Sequence, residues 1–200
     1  MIGEDHEVRP ATREDAPALA QTLARAFDDD PVMSWLFNDA GRRVDQNRRF
    51  FGLRLKQFLP QGEVYTTGDR TGAAIWAVPG QWRLPPLATI RMTLTLAPAL
   101  GQRGPRALRG LQRVEEAHPP TPHYYLAVLG TEPDLQGRGI GSAVMRPVLD
   151  ACDRDEIPAY LESSKERNIA FYARHGFQVT GEVRLPKGPP VWLMWRDPRP

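Results

Sequence analysis

Cysteine is almost absent from this chain, which limits the kinds of protein it can be. The single cysteine, Cys152, rules out an internal disulfide and a cysteine-rich zinc site. It falls on the apolar positions of a predicted helix, which indicates a small core residue. The four histidines, His6, His118, His123 and His175, show no metal-ligand spacing, so no metal site is predicted.

Long hydrophobic runs and a strong net charge are also missing. No run approaches the ~20 apolar residues of a membrane span, and the first ten residues lack the apolar segment of a signal peptide. The formal charge is only +2, so bulk electrostatics do not require a polyanion such as DNA. We therefore expect a soluble, cytoplasmic protein without membrane or nucleic-acid partners. The composition, 41% hydrophobic and 25% charged, fits one globular domain over residues 1–200.

What the chain does contain is a glycine-rich loop between an apolar strand and a helix. Residues 124–131 (YYLAVLGT) have the β-branched and aromatic content of a strand, and the residues after Gly139 show helical spacing. Glycines allow a tight turn with positive φ, so that N–H groups converge on phosphate oxygens at the positive end of the helix dipole. Arg138 could add a charge-assisted contact. The pattern predicts a pyrophosphate site.

Three phosphate-binding patterns compete for this loop. A P-loop needs GxxxxGK followed by Ser or Thr, which the chain lacks. A dinucleotide fold needs GxGxxG, but Gly137 and Gly139 are followed by Ser142 at the third glycine position. The pattern Gln/Arg-x-x-Gly-x-Gly/Ala is matched in full by Gln136, Gly139 and Gly141.

With this loop and a second block, NIAFYARHGF over residues 168–177, the chain resembles the GCN5-related N-acetyltransferase (GNAT) superfamily. The run LGTEPDLQGRGIGS, with Pro133, looks like the superfamily's strand and pyrophosphate loop, and the second block resembles its N-x-x-x-F-Y-x-x-x-G-F segment. The resemblance is strong over residues 124–184. Within the superfamily, YLESSKERNIAFYARHGF and, more loosely, DDPVMSWLF at 29–37 are similar to puromycin N-acetyltransferase-like members.

The resemblance implies an α/β fold: a mixed, mostly antiparallel sheet flanked by helices and splayed open at the acetyl-coenzyme A (acetyl-CoA) site. The hydrophobic pattern itself predicts the element order βα(α)ββ(αα)βαβαββ. The first strand is expected from His6 to Ala11, and the first helix is expected to begin with Thr12 as N-cap and to end near Phe27. After an acidic turn, residues 32–37 are expected to form a short apolar turn, and residues 85–118 a helical insertion.

The resemblance implies that acetyl-CoA is the cosubstrate, and it assigns eleven residues to acetyl-CoA binding. Leu129, Gly130 and Thr131 would offer main-chain hydrogen bonds to the pantetheine arm, as an added strand would. Gly130 suits a β-bulge or is simply a flexible strand residue. Asn168 either contacts the pantetheine arm or caps a short helix. The eleven are Leu129, Gly130, Thr131, Gln136, Gly137, Arg138, Gly139, Ile140, Gly141, Ser142 and Asn168.

The resemblance gives Tyr172 the role of general acid, since a phenol of pKa ~10 holds a proton that it can donate to a departing thiolate. The alternative is an aromatic residue on a buried helix face. Glu162 is the candidate base, directly or through water, although it could instead face solvent or form an ion pair. Asp29 and Asp30 are the other carboxylates that could meet an amine, or else a solvated cap. A backbone N–H near Leu129 would stabilise the developing oxyanion.

We therefore expect an enzyme that moves an acetyl group from acetyl-CoA to a primary amine of a small molecule by direct attack in a ternary complex. The alternatives are a protein N-terminal or lysine acetyltransferase, and a catalytically silent acetyl-CoA sensor. Trp76 and Trp82 could wall an aromatic substrate; core packing is the more natural role for Trp76, because Trp82 lies in a loop rich in proline and glycine. A monomer and a homodimer are both compatible with the sequence.

Overall fold

Seven strands form one open sheet that helices cover on both faces. The computed structural model describes residues 7–60, 62–83 and 85–199. The strands follow the order β1-β2-β3-β4-β5-β7-β6, and the β4–β5 pair is parallel whereas the others are antiparallel. The expected mixed, mostly antiparallel sheet is confirmed. The strands are β1 Val8–Pro10, β2 Val64–Thr67, β3 Gly72–Ala77, β4 Tyr124–Thr131, β5 Ala159–Ser163, β6 Gln178–Arg184 and β7 Pro190–Arg196.

The helices occur where the sequence predicts them, with one addition. They are α1 Ala16–Ala26, α2 Pro31–Leu36, α3 Ala40–Phe58, α4 Pro86–Leu100, α5 Gly104–Glu116, α6 Ile140–Arg154 and α7 Ile169–Arg174, with short 3-10 turns at Gly101–Arg103, Pro133–Leu135 and Glu166–Asn168. The added helix is α2. His6, at the expected start of the first strand, lies outside the described residues.

The core lies on both faces of β3, whose six residues are all buried. Because side chains alternate along a strand, Ile75 packs with α1 and α3 while Trp76 packs with α6 and α7. Trp76 is thus a core residue, as its position predicts. Cys152 is fully buried on the α6 side, and burial raises the pKa of its thiol to about 12. The prediction of a small core residue at this position is confirmed.

The start of α1 differs from the prediction that Thr12 is its N-cap. The helix begins at Ala16 instead. Thr12 opens a preceding turn, in which its N–H donates to Asp15 Oδ2 at 2.9 Å. Pro17 explains the later start, since proline is favoured in the first helical turn, where its missing N–H has no partner to lose.

The predicted apolar turn at residues 32–37 is wrong, because Pro31–Leu36 is a helix. Asp30 is its N-cap: Oδ1 accepts hydrogen bonds from the N–H groups of Val32 and Met33 at 2.9 and 3.0 Å. An Asp-Pro pair is a recognised start signal, since the carboxylate satisfies free N–H groups and proline presets φ. The segment has fewer than two turns, too short for periodicity to reveal it.

The segment predicted as a helical insertion, residues 85–118, contains the two helices α4 and α5. Helix α4 packs on α3, and α5 lies against β6. Five large apolar side chains of the pair are exposed: Leu87, Ile90, Leu94, Leu108 and Leu111. Within the described residues, no helix has both the length and the apolar character needed to span a bilayer.

One ion pair ties the last strand to α6 and gives a stability prediction. The buried Arg196 donates to Asp153 Oδ2 at 2.6 Å and to the carbonyl of His175 at 2.9 Å. This hydrogen bond lowers the pKa of Asp153. Asp153→Asn is expected to lower the free energy of unfolding at pH 7 by about 2 kcal/mol, because it leaves the buried guanidinium without an anion.

Urea unfolding checks this value, with Asp155→Asn as control. Asp155 pairs with the exposed Arg154, so its loss should change the free energy by less than about 0.5 kcal/mol. A carboxylate with a lowered pKa stabilises the fold above its unfolded value of about 3.9 and loses that effect as the pH falls through its folded pKa. The gap between wild type and Asp153→Asn should therefore narrow below about pH 4. An equal decrease in the free energy of unfolding of the two variants would contradict the prediction.

Candidate active site

The sheet splits between β4 and β5. These parallel strands pair only over their first three residues, Tyr124–Leu126 with 159–161. At the next residue of β4 a bulge interrupts its ladder with β3: Trp76 pairs with Leu126 but Ile75 pairs with Val128, so Ala127 is the extra residue. A bulge bends its strand and increases the local twist. The far half of β4 thus leaves β5, and the expected splay is present.

Gly130 is neither the bulge nor merely a flexible residue, and both predictions for it are wrong. It pairs regularly with Ala73 of β3. Its hydrogen faces α1: a Cβ there would lie 2.7 Å from Leu23 Cδ2 and 3.2 Å from both Ala26 Cβ and Phe27 Cε2. Glycine is needed here because α1 packs closely on the splayed strand.

A cleft of about 380 Å³ fills the split and gathers most of the predicted site residues. Both catalytic candidates, Glu162 and Tyr172, line it. Ten of the eleven binding candidates do so too: Leu129, Gly130, Thr131, Gln136, Gly137, Gly139, Ile140, Gly141, Ser142 and Asn168. Arg138 is exposed between two glycines of the loop and is not among the described residues that line the cleft.

The glycine loop presents backbone N–H groups to this cleft. Gly137 and Gly139 have φ of +80° and +89°, a left-handed conformation that strains other residues. Gly139 is the N-cap of α6 and brings no capping side chain, so the first N–H groups of the helix are left for a ligand at the positive end of its dipole. The Gln136 side chain braces the loop by donating to the Thr131 carbonyl at 3.3 Å.

Two further contacts fix the start of α6 against α7. A Cβ on Gly141 would lie 3.3 Å from Phe171 Cζ, so glycine allows α7 to approach α6. Ser142 Oγ lies 2.9 Å from His175 Nε2. Burial, followed by the nearby charge of Arg174, lowers the pKa of His175.

Helix α7 places Tyr172 and Asn168 on the cleft wall. Tyr172 is only 7% exposed and packs edge-on against Phe171 and Phe177. Burial, and then the charge of Asp30, raises the pKa of its phenol, so it keeps its proton at neutral pH. Asn168 stands at the N-cap position but its side chain makes no capping hydrogen bond, which argues against the capping alternative.

The acidic turn before α2 forms another part of the wall. Asp30 is 3% exposed and lines the cleft, and its second oxygen accepts a hydrogen bond from the Ser164 hydroxyl. Burial raises the pKa of Asp30. Asp29 instead binds Lys165 and, at 2.7 Å, Arg167. The turn is therefore bound to the segment between β5 and α7, and Asp30 is not the solvated cap that the sequence allowed.

Glu162 is held by side chains that no sequence motif singles out. Its Oε2 accepts a hydrogen bond from the Tyr125 hydroxyl at 2.6 Å, and its Oε1 lies 3.4 Å from His118 Nδ1. Only 11% of the Glu162 side chain is exposed. Removal from water and the neighbouring carboxylate raise the pKa of Tyr125, and desolvation lowers that of Arg54 close by. The two interactions exclude a purely solvent-facing Glu162.

The strand pairing would have suggested Tyr125, because it sits opposite Tyr160 and therefore beside Glu162. His118 carried no such signal: it follows α5 and reaches Glu162 only through tertiary packing. Trp82, from the loop before α4, stacks on the His118 ring with centroids 3.6 Å apart. In the described parts of the chain, no three His, Cys, Asp or Glu side chains are arranged to hold a metal ion.

An open sheet with a glycine-rich, helix-opening loop at its split is the architecture of an acyltransferase that uses a coenzyme A thioester. Comparison with known proteins agrees. The acetyltransferase (GNAT) family model matches residues 106–177. An uncharacterized N-acetyltransferase of Schizosaccharomyces pombe is 25% identical over 206 residues, covering 92% of this chain and 80% of the relative. The family match and this relative support an acetyl-CoA-dependent N-acetyltransferase of the GNAT superfamily.

Solved structures confirm the fold. A Corynebacterium glutamicum protein named for histone acetyltransferase HPA2 and related acetyltransferases superposes with a TM-score of 0.74 at 24% identity, over 98% of both chains. The PaiA N-acetyltransferase of Thermoplasma acidophilum, solved in complex with coenzyme A, has a TM-score of 0.60 at 11% identity, over 97% of this chain and 99% of its own. The match to the acetyltransferase (GNAT) family supports acetyl-CoA as the cosubstrate. The narrower likeness to puromycin N-acetyltransferases stays a prediction.

Proposed function

We propose that this enzyme acetylates the primary amine of a small molecule, which attacks the thioester directly while both substrates are bound. The observation that supports this proposal most is that one cleft holds a largely buried carboxylate, Glu162, and a buried phenol, Tyr172, beside the glycine loop. Direct transfer needs an acceptor for the amine protons and a donor for the departing sulfur, and these two groups supply both.

Two backbone stretches would hold the cosubstrate. The edge of β4 at Leu129–Thr131 faces the split, where it can pair with an amide-bearing arm as a further strand would. The N–H groups from Gly137 to Ser142 would bind the pyrophosphate. Acetyl-CoA supplies the acetyl group as a thioester, with its sulfur as the leaving group.

The acid and base are assigned from their surroundings. Tyr172 holds its proton because burial and the Asp30 carboxylate oppose the phenolate, and that proton is available to sulfur. Glu162 accepts a hydrogen bond on one oxygen and faces His118 with the other, which orients the carboxylate toward an incoming ammonium. A backbone N–H of the far half of β4 would stabilise negative charge on the acetyl oxygen.

The surroundings of Glu162 favour a small acceptor. Trp82 and His118 flank the α4–α5 insertion and stack on each other beside this carboxylate. The rings cover the side of Glu162 that faces away from the cleft, so an acceptor amine reaches this carboxylate only through the cleft, which a small molecule enters more readily than a polypeptide. The largely buried Glu162 and the buried Asp30 suit a cationic amine, and an aromatic ring that lines the cleft, Phe27, suits an aryl or aminonucleoside group.

An acceptor screen tests the proposal. Thiol release from acetyl-CoA is followed with tryptamine, agmatine, spermidine, a puromycin-type aminonucleoside, an aminoglycoside and two peptides, one with a free N-terminus and one with an internal lysine. Mass spectrometry identifies the acetylated product. We expect at least one small amine to exceed both peptides in kcat/KM by at least about tenfold. Faster reaction with a peptide, or thermal stabilisation by acetyl-CoA without any turnover, would refute it in favour of a protein acetyltransferase or a sensor.

A further inference from the structure

A row of hydrogen-bonding groups leads from Glu162 away from the cleft through two histidines. Glu162 Oε1 lies 3.4 Å from His118 Nδ1, and His118 Nε2 lies 2.9 Å from His123 Nε2. His123 Nδ1 then lies 2.6 Å from the Thr121 carbonyl oxygen. The row thus joins the candidate base to the segment between α5 and β4.

The carbonyl at the far end fixes where the ring protons lie. A carbonyl oxygen only accepts, so His123 Nδ1 must carry the hydrogen of that bond. In neutral His123 the other nitrogen, Nε2, is therefore an acceptor, and His118 Nε2 must donate to it. Neutral His118 then has its lone pair on Nδ1, the atom that faces Glu162. The row therefore ends at His118 Nδ1, an unprotonated nitrogen beside the Glu162 carboxylate that can accept a proton.

Of the described groups around Glu162 and His118, only the His118 ring is suited to accept a proton from Glu162. Its side chain is 2% exposed, with Trp82 stacked on one face and Tyr125 and Tyr160 edge-on. Both phenols have a raised pKa, chiefly from burial, so they stay protonated. Burial and the adjacent His118 lower the pKa of His123, which opposes a second proton on that ring. Arg54, near Glu162, and Arg83, which lies over the Trp82 ring, are cations and cannot accept a proton.

We propose that His118, oriented by His123 and the Thr121 carbonyl, receives the proton that Glu162 takes from the acceptor ammonium. An N–H bond of the ammonium breaks, its electron pair stays on nitrogen, and the proton binds Glu162; the new O–H bond then breaks as an N–H bond forms at His118 Nδ1. The imidazolium is left paired with a regenerated carboxylate. His118 acts through Glu162 and is therefore a positioning residue. The inference rests on the proposed function.

The proton balance explains why a second acceptor is useful. Two N–H protons leave an ammonium that becomes an amide, and only one proton is added to sulfur. Tyr172 supplies the proton for sulfur and can regain one from Glu162, so one proton per turnover is in surplus. His118 can hold it until the product leaves and water enters the cleft. Glu162 is thereby free to take the second proton while the substrates are still bound.

Chemical rescue tests this role. With tryptamine, agmatine or spermidine, whichever the wild type acetylates fastest, His118→Gly is expected to lower kcat about 30-fold and to change the KM for acetyl-CoA less than about twofold. Added imidazole should restore the rate at least about fivefold by occupying the space under Trp82. Pyrazole, a ring of equal size that is far less basic, should not. Rescue by neither ring, or by both equally, would overturn the proposal.

A second pair of variants serves if His118→Gly does not fold. His123→Gln keeps one acceptor for His118 and one donor for Thr121, whereas His123→Leu leaves the His118 Nε2–H without a partner. We expect the leucine variant to be at least about fivefold slower than the glutamine variant. Nitrogen-15 spectra of the rings should show neutral His118 protonated on Nε2 and neutral His123 on Nδ1. The opposite tautomers, or equal rates for the two variants, would count against the relay.

A Glu162→Gln variant separates this inference from the proposed function. Loss of the base should slow turnover about 100-fold and shift the limb of the pH profile along which the rate rises. If Glu162→Gln is slow while His118→Gly keeps full activity, the relay fails and the base assignment stands. If no amine is acetylated by the wild type, the proposed function fails and takes the relay with it.

Discussion

Glutamate in place of Gly139 is expected to abolish the binding of acetyl-CoA. The new carboxylate would lie at the N-terminus of α6, where the free N–H groups and the helix dipole favour an anion, and it would repel the pyrophosphate. The φ of +89° adds strain for any residue with a Cβ. We expect the dissociation constant, measured by calorimetry, to rise at least about 100-fold, or about 2.7 kcal/mol.

Two controls separate charge from backbone strain. Gly104 also stands at the start of a helix, α5, and a Cβ there would meet nothing within 4 Å. Gly104→Glu should therefore bind acetyl-CoA normally. Gly139→Asn tests the backbone alone, because asparagine tolerates positive φ and carries no charge; its affinity should stay within about tenfold of wild type. Unchanged affinity in a folded Gly139→Glu protein would show that the pyrophosphate binds elsewhere.

Removing the hydroxyl of Tyr172 is expected to have the largest effect on turnover. Phenylalanine keeps the ring contacts with Phe171 and Phe177 but has no proton for the departing sulfur. Tyr172→Phe should lower kcat about 1000-fold, within the range that a positioned acid contributes. The affinity for acetyl-CoA should change less than about threefold, since the packed ring remains.

Tyr65→Phe is the matched control. Tyr65 lies on β2, outside the cleft, and its hydroxyl donates a hydrogen bond to Glu63, so this variant also removes a hydrogen-bonded phenol. Burial raises the pKa of Tyr65 to about 12, so it too is protonated at neutral pH. The Tyr65→Phe enzyme should acetylate its substrate at the wild-type rate. A fully active Tyr172→Phe enzyme would mean that sulfur takes its proton from another group.

Long periodic elements were predictable, and short or packing-dependent features were not. The two helices of the insertion and the strands β2 to β7 follow hydrophobic periods that persist for several residues. Helix α2 was not predicted because its six residues are too few to show a hydrophobic period, although Asp30 and Pro31 are a recognisable helix start. The bulge was misplaced at Gly130 because glycine suggested it, whereas the actual position is set by pairing with β3. The reason for that glycine is a neighbouring helix, α1, which sequence spacing cannot reveal.

The residues of the candidate site also fall into those that a local sequence motif predicts and those that only tertiary packing brings together. The glycine loop and Tyr172 lie in continuous motifs, so the order of residues along the chain is enough to predict both. Tyr125, His118 and Trp82 reach Glu162 from three separate segments. Their relation depends on how the ends of the α4–α5 insertion fold back onto the sheet, which no local pattern encodes. The likeness to other acetyltransferases indicates the donor side, while the proposed acceptor side rests on the geometry of Glu162 and its neighbours.

The bulge at Ala127 makes the active site sensitive to strand length. Removing one residue there would restore an unbroken ladder with β3 and lessen the bend that carries β4 away from β5. Every later residue of β4 would keep its β3 partner and its face of the sheet, because Leu126 with Trp76 and Val128 with Ile75 would become consecutive pairs. Substitutions along this strand can be absorbed one at a time, but a single-codon deletion at the bulge would narrow the split between β4 and β5 that receives the cosubstrate.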